Sequence, residues 1–70
     1  MYQQMIRKEL ARRGRLGVNS RYVEAWMRLE HGCLDGLDPE EFRREVAIGA
    51  DCVEADPDAS VRLAGTCGLS

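Results

Sequence analysis

Asp38-Pro39-Glu40-Glu41-Phe42-Arg43-Arg44-Glu45-Val46-Ala47-Ile48-Gly49-Ala50-Asp51-Cys52-Val53 decides how this 70-residue chain folds. Its first four residues carry a helix start. Asp38 is a capping type, Pro39 suits the first helical position, and the acids that follow complement the positive end of the helix dipole. Phe42, Val46, Gly49 and Val53 then recur at steps of four, three and four, which marks one buried seam. A glycine inside a helix costs about 1 kcal/mol relative to alanine, so Gly49 on that seam predicts a close approach of a second helix.

Working outward, Asp56-Pro57-Asp58 repeats the same start for a short helix over 57–64, stopped by Gly65. Upstream, Tyr22, Val23, Trp26, Met27 and Leu29 form a broad apolar stripe over 20–31, with Asn19 or Ser20 as cap and Gly32 as stop; Arg21, Glu24 and Arg28 are expected on its outer face. Tyr2, Met5, Ile6 and Leu10 space a first helix over 2–13 that Gly14 ends, and residues 14–19 make a connector pinned by Leu16 and Val18. Nothing reads as a strand. The expected fold is all-α, one domain over 1–70, a small bundle of three main helices plus a short fourth. Its expected centre is Leu10, Val23, Trp26, Met27, Phe42, Val46 and Val53. The tail after Gly65 is expected to be irregular and anchored by Leu69.

Charge is divided along the chain. Residues 1–28 hold seven bases against two acids, +5, and residues 29–70 hold three bases against ten acids, −7, for the net −2. A molecule so polarised can dock its own halves, pair head to tail, or offer each face to a different partner. Seventy residues sit near the lower limit for a self-sufficient core, so a staple is expected: a disulfide, a metal or, in the leading reading, a second copy of the chain. No run approaches the ~20 apolar residues of a membrane span. The amino terminus has no apolar leader core and the three cysteines are an odd number, which points to a cytoplasmic protein.

Catalytic and metal chemistry is not expected. Cys33, Cys52, Cys67 and His31 lack the close ligand pairs of structural zinc sites, and His31 beside Cys33 has no orienting third group. The carboxylates lie on solvated helix faces, and Gly14-Arg15-Leu16-Gly17 is no phosphate loop. The expectation is a non-enzymatic protein without cofactor or metal.

Two binding readings remain. In the leading one, a protein-interaction module contacts a larger partner with a basic surface. Its candidate residues are Tyr22 and Trp26 with the acidic rows Glu41, Glu45 and Asp51, Glu54, Asp58. Acidic faces of this kind also serve inhibitors carried by phages and mobile elements. In the rival reading, Arg12, Arg13, Arg15 and Arg21 approach DNA or RNA, with the second helix as a helix-turn-helix reader. Its six-residue connector is long for that motif, Glu24 and Glu30 would repel phosphate, and the net charge disfavours a polyanion.

Overall fold

Four helices and one short 3-10 turn make up the computed structural model, which describes residues 2–66. They are α1 (Tyr2–Arg12), α2 (Ser20–His31), the turn Leu34–Gly36, α3 (Pro39–Ala55) and α4 (Pro57–Thr66). No strand occurs among the described residues. Cys67 and Leu69 lie outside them, so the expected anchoring of the tail does too.

Each helix end has a local cause. The left-handed Gly14, φ 73°, closes α1: the Arg15 N–H donates to Leu10 O at 2.8 Å and the Gly14 N–H to Ala11 O at 3.1 Å. That pair of bonds is the Schellman arrangement, which satisfies carbonyls the helix leaves open. Asn19 caps α2 by accepting from the Arg21 N–H at 2.9 Å. Asp38 accepts from the Glu41 N–H at 2.8 Å, and Asp56 from the Ala59 N–H at 3.1 Å, each followed by its proline. The stop expected at Gly65 does not occur. Gly65 keeps a right-handed backbone and α4 runs on to Thr66, whose hydroxyl donates to Leu63 O at 2.9 Å. At ten residues α4 is one residue shorter than α1.

α2 is the hub: it packs against α1, α3, α4 and the 3-10 turn. The core is built from Ile6 and Leu10 of α1, Val23 and Met27 of α2, Leu34 of the turn, and Phe42, Val46, Ala50 and Val53 of α3. Leu34 enters because the turn folds back under α2, which no helical spacing announces. Trp26, expected at the centre, is only half-buried and packs on the core from its edge. Its ring N–H needs a polar partner and finds the Ser60 hydroxyl at 2.8 Å, which in turn donates to Asp56 O at 2.9 Å. This clamp joins α2 to the capped start of α4. Glu24, expected on the outer face, is buried and receives Arg28 Nε at 3.0 Å. The same Arg28 guanidinium lies 5.8 Å from the Tyr2 ring centre.

Gly49 of α3 lies directly against Val23 of α2. A methyl group placed on it would meet Val23 Cγ1 at 3.0 Å and Val23 O at 3.3 Å. The approach anticipated from the seam is therefore real, and its partner is the fully buried Val23. Gly49→Val is expected to lower stability by about 1–3 kcal/mol through overpacking, read from the urea unfolding midpoint. Gly49→Ala sets a helix gain of about 1 kcal/mol against the crowded contact. Its cost is expected to shrink in a Val23→Ala background, where Cγ1 is gone. Equal costs in both backgrounds would remove this contact as the reason for the glycine.

Candidate functional site

Three charged clusters organise the surface. The first is centred on Glu9, whose side chain is only 6% exposed although it belongs to an ionisable residue. Arg13 Nε donates to its Oε2 at 2.7 Å, Arg43 Nε of α3 reaches Oε1 at 3.3 Å, and Arg12 lies 4.0 Å away. Burial pushes the Glu9 carboxyl up. The hydrogen bond from Arg13 and the charges of Arg13, Arg43 and Arg12 outweigh it and hold the pKa below the ordinary 4.5. One carboxylate among three guanidiniums leaves a local surplus of positive charge at the junction of α1 and α3.

The second cluster joins the two halves of the chain. Arg15, on the connector, places Nη2 at 2.7 Å from Asp51 Oδ1 and 2.6 Å from Glu54 Oε1. The hydrogen bond to Asp51 raises the Arg15 pKa above its ordinary value, desolvation opposes it, and the Glu54 charge adds to the rise. Part of the opposed charge is thus internal. Arg15, a nucleic-acid candidate, and Asp51 and Glu54, protein-binding candidates, contact one another. Asp58 does not extend their row. α3 ends at Ala55, Asp56 caps the next helix, and Asp58 belongs to the first turn of α4.

The third cluster lies between α2 and α3. Trp26 and Glu30 of α2 face Glu45, Ile48 and Cys52 of α3 around a depression of about 150 Å³. His31 Nε2 stands 3.0 Å from Glu45 Oε1 at its end. Ile48 is 53% exposed, an apolar side chain in acidic surroundings. Trp26 and Glu45, candidates from separate stretches of sequence, meet here. Glu41 is exposed one helical turn before Glu45. Tyr22 lines a different depression, with Val18, Val53 and Val61. Glu30 and Ile48 were not among the candidates. Ile48 was nonetheless readable as an isoleucine off the buried seam, whereas the meeting of Glu30 with Glu45 depends on how the helices pack.

Of the remaining nucleic-acid candidates, Arg12 and Arg13 lie around Glu9, and Arg21, the second residue of α2, is exposed. No group of three or more His, Cys, Asp or Glu side chains able to hold a metal ion occurs among the described residues. None of their buried side-chain nitrogens or oxygens lacks a hydrogen-bond partner. No described helix is long and apolar enough to cross a membrane. Compared with known proteins, the chain matches no family model, no curated protein sequence and no solved structure.

The Glu9 cluster gives stability a defined acid dependence. Its folded pKa lies below the unfolded one, so its contribution is complete above about pH 4.5 and is lost as pH falls through the folded value. Glu9→Gln is therefore expected to be less stable than the parent at pH 7. The gap should close as both are unfolded in urea at successively lower pH. A gap that stays constant down to pH 3 would contradict this role for the carboxylate.

Proposed function

We propose that this protein is a non-enzymatic interaction module that binds a basic segment of a protein partner in the depression between α2 and α3. The observation that carries the reading is the convergence of Trp26, Ile48, Glu30 and Glu45 on that one depression. An aromatic and an aliphatic wall under two carboxylates suits a lysine or arginine side chain. The stem packs on apolar surface, the cation meets Glu30 or Glu45, and an indole face adds attraction. Glu41 on the next turn prolongs the acidic field for neighbouring cations of the same segment. A cytoplasmic setting fits such a module.

The nucleic-acid reading finds less support. A recognition helix must enter a groove, yet α2 is the most enclosed helix, with Ser20, Val23, Glu24, Ala25 and Met27 buried. Ser20, at its start, accepts Arg7 Nε at 3.3 Å from α1.

Trp26 is the only tryptophan, so its emission reports on the depression. Titration with a short arginine-rich peptide at low salt is expected to change that emission saturably. The change should weaken as salt screens the carboxylates. Glu30→Gln with Glu45→Gln is expected to weaken binding by roughly tenfold, about 1.4 kcal/mol, with the helical circular dichroism unchanged. An emission change that does not saturate, or equal affinity in the double variant, would contradict the reading.

A further inference from the structure

Away from the α2–α3 depression, α1 and the first turn of α3 border a second groove of about 360 Å³. Its floor is apolar: Met5 and Ala11 of α1 face Pro39 and Phe42 of α3. Met5 is 44% exposed there, while Phe42 is buried beneath and stacks on Tyr2 with ring centres 6.1 Å apart. Its rim is basic. Lys8 and Arg12 stand one turn apart on α1, and Arg43 faces them from α3. The carboxylate in this groove, Glu9, is already engaged by Arg13 and Arg43. Arg12 approaches it only to 4.0 Å with its side chain 64% exposed, and Lys8 joins no ion pair among the described residues. The rim therefore keeps cationic capacity that the chain itself does not neutralise.

We propose that this groove is a second docking surface, and that its occupant is an acidic amphipathic helix of another protein. This goes beyond the α2–α3 depression: it concerns a different face, opposite in sign, and a different partner segment. Met5 to Arg12 is eight residues, about 10 Å of helix, enough to receive two turns of an incoming helix. Such a helix lays apolar side chains at successive turns on Met5, Ala11 and Pro39, and its flanking carboxylates reach Lys8, Arg12 and Arg43. Methionine at the floor adapts to side chains of different shape. A phosphate backbone fits the same cations less well. It has no apolar surface to bury on Met5 and Pro39, and the net charge of −2 opposes a polyanion.

The test is fluorescence anisotropy of three labelled probes against the full chain: a helical leucine/glutamate peptide, its leucine/lysine counterpart, and a short DNA duplex. The acidic peptide is expected to bind at least roughly tenfold more tightly than either other probe. Lys8→Glu with Arg12→Glu should abolish that preference while leaving the arginine-peptide titration of Trp26 unchanged. Met5→Ser, a milder change, should weaken the acidic peptide several-fold without altering the melting temperature. No preference for the acidic peptide, or tighter binding of DNA, overturns the proposal. Sedimentation supplies the remaining outcome. A dimer that forms with rising concentration and is lost in the Lys8/Arg12 variant would make a second copy of this chain the occupant, and would overturn it as well.

Discussion

The spacing between α2 and α3 is set where Val23 lies against Gly49, and the rest of the fold is arranged around that contact. Because position 49 carries no side chain, the Val23 backbone and methyl come within van der Waals range of the α3 backbone. Drawn in this far, α2 touches every other helix. Val46, Ala50 and Val53 on one side and Ile6 and Leu10 on the other then close a continuous apolar interior around Val23 and Met27. In so small a domain, where apolar burial barely exceeds chain entropy, one side chain's worth of helix separation is a large perturbation. The Trp26–Ser60 hydrogen bond extends the arrangement to α4, and the returning 3-10 turn seals the end with Leu34.

Electrostatics follows from that packing. The chain is basic at its start and acidic at its end, and folding brings the two together in the bridge from Arg15 to Asp51 and Glu54. Around Glu9 and Glu24 the neutralisation is largely local: Glu9 takes Arg12 and Arg13 from three and four residues on, alongside Arg43 of α3, and Glu24 takes Arg28 four residues on. The exposed pairs contribute little individually, while those around the buried Glu9 and Glu24 carboxylates prevent uncompensated charge. What remains is a molecule with an acidic depression on one face and a cation-rimmed apolar groove on another.

Much of this was legible in the residues. The capping aspartates followed by prolines at 38 and 56 located two helix starts to the residue, because an N-cap acts within one turn and needs no tertiary context. The seam of Phe42, Val46, Gly49 and Val53 anticipated both the buried face and the close approach. The end of α4 was not legible, since a glycine near a helix end closes it only if its backbone turns left-handed. Gly14 does so and Gly65 does not. Nor could the burial of Glu9 and Glu24 be read. A carboxylate enters an interior only when arginines happen to cover it, and Arg43 reaches Glu9 from 34 residues away. For the binding surfaces, residue type named Trp26 and Glu45, but only the packing angle of α2 on α3 put them beside Glu30 and Ile48.

The central claim is that α2 is the packing hub, with Val23 and Met27 closed into the interior against α1 and α3. Native-state hydrogen exchange measured residue by residue tests it most directly. The account predicts that amides from Val23 to Met27 and from Val46 to Ala50 exchange most slowly and only through global unfolding. Exchange of the α2 amides through local opening, as fast as at the outer ends of α1 and α4, would contradict it.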